Sequence, residues 1–170
     1  MPTEQPVRRL DLSTNEQFIA VHTPGWVCFH LVDTPDTHIT KVELAGELRS
    51  VAFCGNGLFA CVVGDRAFCW HVGKSAAGVW GVAPVDVDVK LKGSASCVVW
   101  KKHSDSWLLL VGCSEGSFCF AKYSLEGPKG QIRAVSQQPQ SPFDKPGRFV
   151  RALLPLGDDR MLAVYASALR

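Results

Sequence analysis

The sequence predicts an all-β protein assembled from repeated antiparallel modules. Three observations carry that expectation: apolar runs of strand length, turn residues between them, and recurrence of the same order of runs and turns along the chain. Residues 10–32 (LDLSTNEQFIAVHTPGWVCFHLV) read as an apolar run, a polar turn, a second run, a turn and a third run. Residues 51–72 repeat that order, residues 98–125 repeat it again, and residues 150–170 begin a fourth copy that stops after its second run. No helix is required anywhere.

Aligning the copies puts VCFHL (27–31), FCWHV (68–72) and FCFAK (118–122) in one column, which makes Cys28, Cys69 and Cys119 equivalent. Their separations fall near the roughly 40–45 residues of a four-stranded propeller blade. The expected fold is therefore a partial β-propeller of about three and a half four-stranded antiparallel blades, in one domain spanning residues 1–170. The blades are expected at about 7–45, 48–92 and 95–136, with a partial blade at 149–170.

Each fourth strand is read from alternation of apolar and polar residues: 37–44 (THITKVEL), 85–91 (VDVDVKL) and, more weakly, 131–135. Gly55-Asn56-Gly57, Gly64-Asp65, Gly116-Ser117 and Gly157-Asp158-Asp159 supply residues that tolerate positive φ between strands. Residues 73–84 read as an irregular connection, and the Pro/Gly-rich stretch 126–148, with Pro128, Pro139, Pro142 and Pro146, as mostly a surface loop. The third strand of each blade is apolar on both faces, as a sheet sandwiched between neighbours requires. A lipocalin-like barrel would instead alternate with a single ligand-facing side.

Composition narrows the function classes. Hydrophobic residues make up 46% and charged residues 20% of the 170, the balance of a folded domain. Eighteen Lys and Arg against 16 Asp and Glu leave a net charge of +2 with no strongly basic block, so nothing points directly to nucleic acid. Seven cysteines, an odd number with no Cys-x-x-Cys pair, fit a reducing compartment better than a disulfide framework or a zinc ribbon. No signal-like run or membrane span is visible, and the expected location is cytoplasmic or nuclear.

Propellers close with roughly four to eight blades, so this chain is expected to need another chain or further blades to complete a ring. An open end would expose an apolar sheet face of roughly 500 Å², worth about 12 kcal/mol at about 25 cal/mol/Å². That rivals the whole stability of a domain.

Few side chains suggest chemistry. The three aligned cysteines with His30 and His71 resemble soft-metal ligands, but stacked sheets lie about 10 Å apart while zinc ligands converge within about 2.3 Å of one ion. Buried structural thiols are the expected reading, with no metal and no cofactor. His22, His38 and His103 are scattered without a nucleophile beside them, and Asp86 and Asp88 fit a solvated outer strand. Gly112-Cys113-Ser114-Glu115-Gly116 lacks the lysine and following helix of a phosphate-cradling loop. No enzymatic activity is expected. Trp70 and Trp100 belong to the core by their strand positions, whereas Trp80, in SAAGVWGVAP, and Trp107, beside a turn, are the candidate partner-binding residues.

The blade pattern resembles the WD40-type propeller superfamily, with Cys69-Trp70-His71 where a Trp-Asp dipeptide often ends strand three, although the Gly-His and Trp-Asp signatures are absent. Residues 97–166 are similar to the N-terminal propeller of cytoplasmic-face nucleoporins. The features are Cys97-Val98-Val99-Trp100, residues 108–112, residues 118–123, Lys129-Gly130-Gln131-Ile132, and Phe149-Val150 leading to Leu162-Ala163-Val164-Tyr165. The chain departs from that family at residues 101–106, where a Pro-Lys-Gly turn is usual, and it carries no Phe-Gly repeats. The resemblance implies a non-catalytic scaffold for protein partners, including a DEAD-box mRNA-export helicase at the nuclear pore, with no contact residues carried over.

Overall fold

Polar turns cut the chain into short apolar runs, and each run pairs with the next. The computed structural model describes residues 6–36, 38–55, 57–85, 93–104, 106–116, 118–126, 131–140, 148–156 and 160–167. Among them every regular element is a strand of an antiparallel sheet, and within each sheet consecutive strands are neighbours.

The first sheet orders β1 (Arg9–Leu12), β2 (Phe18–His22), β3 (Trp26–Leu31) and β4 (His38–Glu43). The second holds β5 (Leu48–Phe53), β6 (Leu58–Val63), β7 (Arg66–Lys74) and β8 (Trp80–Val85), and the third β9 (Ala95–His103), β10 (Ser106–Cys113), β11 (Phe118–Glu126) and β12 (Gln131–Gln140). A two-stranded sheet of β13 (Arg148–Leu156) and β14 (Arg160–Ser167) follows. The expected three full blades and one partial blade are therefore present.

Turn chemistry sets the hairpins. The Ser13 hydroxyl accepts the Phe18 amide at 3.0 Å and closes the β1–β2 turn. Gly64 and Gly116 adopt φ of 60° and 80° in the β6–β7 and β10–β11 turns, as their sequence positions foretold. Gly57, at φ 74°, is fixed by sterics as well, because a Cβ there would collide with the Val72 carbonyl oxygen. Residues 157–159 lie outside the described residues.

Sheet packs on sheet through three apolar layers. Phe18, Ala20, Val27 and Phe29 of the first blade meet Phe53, Phe59, Cys61, Val63 and Val72 of the second. Phe59 is the hub, with ring centroids of Phe29 at 5.0 Å, Phe53 at 5.4 Å, His22 at 5.7 Å and Trp70 at 5.9 Å. Alternate residues of β6 point the other way: Leu58, Ala60 and Val62, with Cys69, pack on Val98, Trp100, Leu109, Val111 and Tyr123 of the third blade. Cys97 and Leu110 then meet Val150 and Leu153. Polar links stitch adjacent blades: the Val98 amide donates to Ser50 Oγ at 3.1 Å, and Ser96 Oγ donates to the Val150 carbonyl at 2.6 Å.

Four expectations need correction. The strand buried on both faces is the second of its blade, β6, every residue of which is buried, whereas the third strand, β7, is exposed at both ends and only half-buried over much of its length. The fourth strand of the second blade runs over Trp80–Val85, mostly inside the 73–84 stretch read as an irregular connection. Its Gly81, Ala83 and Pro84 hide the alternation, and Pro84 is tolerated because β8 is an edge strand. Residues 86–92, including Asp86 and Asp88, lie outside the described residues.

The strand expected at 131–135 is present but runs on to Gln140, well into the stretch read as mostly loop over 126–148; this β12 pairs with β11 from Glu126↔Gln131 to Phe118↔Gln140, again as an edge strand that admits a proline. Residues 127–130 and 141–147 lie outside the described residues. The cysteine column is also out of register. Ala20 opposes Phe29 and Ala60 opposes Cys69, so the residue matching Cys69 is Phe29. Cys28 sits opposite Val21 on the other face, since one residue of slip exchanges the two faces of a strand. Cys119 stands opposite Val111 in the backbone register.

Candidate functional site

The stack ends in two apolar sheet faces that no described residue covers. On the last sheet Leu153, Met161, Ala163 and Tyr165 turn toward the third blade. Their alternates Leu154, Leu156, Leu162 and Val164 point away and are 48%, 46%, 46% and 37% exposed. Leu154 and Leu162 are direct cross-strand partners, so these side chains form one continuous patch. At the other end Leu10 and Leu12 of β1, at 64% and 52% exposure, oppose Val21 and Ile19.

Neither sequence-chosen tryptophan stands free. Trp80 opens β8 instead of sitting in a loop; its ring meets Phe18 edge-on at 5.3 Å, and Lys74 Nζ lies 4.9 Å from the ring centroid. Trp107 lies within β10, half-buried, opposite Lys102 and Tyr123 and packed against the second core layer. The structure does not bring the two together: Trp80 packs with the layer between blades one and two, Trp107 with the layer between blades two and three.

A polar cleft of about 410 Å³ opens between the first two blades, where the start of β1 and the end of β2 face the entry to β5. Arg8, Arg9, His22, Thr23, Glu47 and Arg49 line it. Register explains the local cluster, because Arg9 opposes His22 and Asp11 opposes Ala20, which sets Arg9, Asp11 and His22 on one face of the first sheet. Arg9 Nη2 reaches Asp11 Oδ1 at 2.7 Å and Nε reaches Oδ2 at 2.8 Å. His22 Nε2 lies 3.0 Å from Oδ2, within ion-pair range. Burial tends to raise the Asp11 carboxyl, but the hydrogen bonds and charges of His22 and Arg9 outweigh it and hold the group below the usual carboxylate value.

His22 is 1% exposed, and its Nδ1 has no hydrogen-bond partner among the described residues. Arg8 and Arg49 carry no side-chain ion pair or hydrogen bond there either. Sequence reasoning missed this group. Arg9 and Asp11, two apart on one strand, share a face and were the available signal; nothing in the sequence announces that Arg49 of the next blade joins them.

Cys54, Cys61, Cys69, Cys97 and Cys113 are buried packing residues. Burial drives the Cys61 thiol up to about 12 and the Cys69 thiol well above its ordinary value. Cys28 is half-exposed and only raised, by burial that the nearby Lys41 charge partly offsets. No group of three His, Cys, Asp or Glu side chains among the described residues could hold a metal ion, and no helix there is long and apolar enough to cross a membrane.

No family model matches this chain, and no curated protein matches it in sequence. Solved structures do match in fold. Sqt1 of Saccharomyces cerevisiae is similar with a TM-score of 0.50 at 13% identity, over 96% of this chain and 43% of that one. Hsv2 of Kluyveromyces marxianus is similar with a TM-score of 0.40 at 14% identity, over 86% of this chain and 44% of that one. The chain thus spans less than half the length of either structure. The order of its sheets and the likeness to Sqt1 together make the chain a run of β-propeller blades.

Proposed function

We propose that the chain is part of a non-catalytic propeller platform that docks protein partners. The observation that carries this reading is the patch of Leu154, Leu156, Leu162 and Val164, displayed on a sheet whose opposite face is locked into the core. Contiguous apolar surface of this kind marks contact with another protein surface. The occupant is an adjoining blade, from further sequence or a second chain, and the completed ring presents its loops to partners. Light scattering on the chain, alone and with both Leu154→Asp and Leu162→Asp, tests the patch. Association that the two substitutions abolish supports it, and a monomer at high concentration with no apolar-dye binding refutes it.

The finer reading is a nucleoporin-type propeller that docks a DEAD-box helicase in mRNA export, located at the nuclear pore or in the surrounding cytoplasm or nucleus. Its support is the similarity of residues 97–166, which supply the third sheet and β13–β14. Capture of purified helicase together with nuclear-rim staining tests it. Absence of both rejects the pore reading while leaving the docking platform in place.

A further inference from the structure

The cleft between the first two blades gathers three guanidinium groups at one concavity. Arg9 is neutralised by Asp11, whereas Arg8 and Arg49 face the same space without a side-chain partner, and Glu47 is the one carboxylate on the lining. Like charges converging on a cleft repel one another unless an anion lies between them. The guanidinium fork is shaped to grip phosphoryl oxygens two at a time. Beneath them His22, almost fully buried, closes the floor of the cleft.

We propose that this cleft binds the phosphoryl group of a phosphorylated serine or threonine on a protein partner, held by Arg8 and Arg49. The proposal rests on the docking reading and adds a second, chemically specific contact to it. About 410 Å³ lies in the range of small-ligand sites, roughly 300–1,000 Å³, and leaves room for the residue that carries the phosphoryl group. A peptide is favoured over an anionic bilayer because membrane adhesion takes clusters of basic residues. Here the chain's net charge is +2, and Glu47 interrupts the positive lining.

The test is fluorescence polarisation of the full chain with a labelled pool of randomised peptides centred on phosphoserine, beside the same pool unphosphorylated. Inorganic phosphate serves as competitor, and vesicles of phosphatidylcholine with and without a phosphoinositide form a separate arm. The phosphorylated pool is expected to bind at least tenfold more tightly, and inorganic phosphate to displace it. Arg8→Ala and Arg49→Ala each weaken binding about tenfold, and Arg49→Lys, which keeps the charge but loses the fork, weakens it several-fold. Both arginines are exposed, so unchanged melting curves are expected to accompany these losses.

Equal binding of the two pools, or no binding of either, overturns the proposal. So does binding that survives both arginine substitutions, or vesicle binding without peptide binding, which assigns the arginines to a lipid headgroup. These outcomes leave the apolar docking patch untouched, and failure of the Leu154→Asp and Leu162→Asp test leaves the phosphoryl site untouched.

Discussion

Replacing Phe59 by alanine should destabilise the chain more than any single change outside the first two blades. Its side chain is fully buried between those blades and touches four other rings at 5.0–5.9 Å. Truncating a buried phenylalanine costs roughly 3–5 kcal/mol in transfer and cavity terms. Aromatic pairs contribute about 0.5–1.5 kcal/mol each beyond buried area. The near-perpendicular contacts with Phe29 and Phe53, at 82° and 89°, are favourable pairs of this kind, which places Phe59→Ala toward the upper end, about 4–5 kcal/mol. Phe59→Leu keeps most of the volume and should cost about 1.5 kcal/mol. Urea unfolding followed by tryptophan fluorescence measures both, since Trp70 lies 5.9 Å from the substituted ring. Leu162→Ala, on the outward patch, should change stability by no more than about 0.5 kcal/mol. A Phe59→Ala loss below about 1.5 kcal/mol, or one equal to that of Leu162→Ala, would refute the stacked-blade core.

Gly57→Ala should lower the melting midpoint sharply, because φ 74° and the Val72 carbonyl both exclude a Cβ; differential scanning calorimetry showing a change under 2 °C would contradict that geometry. Peptide mapping after brief alkylation of the native chain should find Cys28 modified well before Cys54, Cys61, Cys69, Cys97 and Cys113, which react only as the chain opens. Cys61 is raised on folding to about 12, so its contribution to stability is full below about pH 9 and declines as pH rises toward 12; Cys61→Ala should flatten that alkaline decline in urea titrations. Asp11 is lowered on folding, so its contribution is full above about pH 4 and is lost as pH falls through the folded value; Asp11→Asn should remove part of the acid-side slope, and an unchanged slope would argue against the His22–Asp11–Arg9 cluster.

Repetition was readable from the chain because each blade encodes its own hairpins. Gly64-Asp65 and Gly116 announce turns, and the apolar runs of β2, β6 and β10 are unmistakable. Edge strands were harder. Trp80–Val85 and Gln131–Gln140 carry glycine or proline and need not alternate strictly, because one edge of each is unpaired. The Cys-x-His column misled for a different reason: side-chain identity recurred while the register shifted by one residue, and only the hairpin pairing reveals that Phe29 stands where Cys69 does. The arginine cleft was invisible because its residues come from two sheets, and sequence separation says nothing about which loops meet.

Interlocking of each sheet with its immediate neighbours makes the assembly behave like a short one-dimensional array. Cooperativity must pass through β6 and β10, central strands whose two faces serve both adjoining layers. Fraying should accordingly begin at the terminal sheets and travel inward. Amide protons of β6 and β10 are then the last to exchange with solvent, while those of β14 and β1 are among the first.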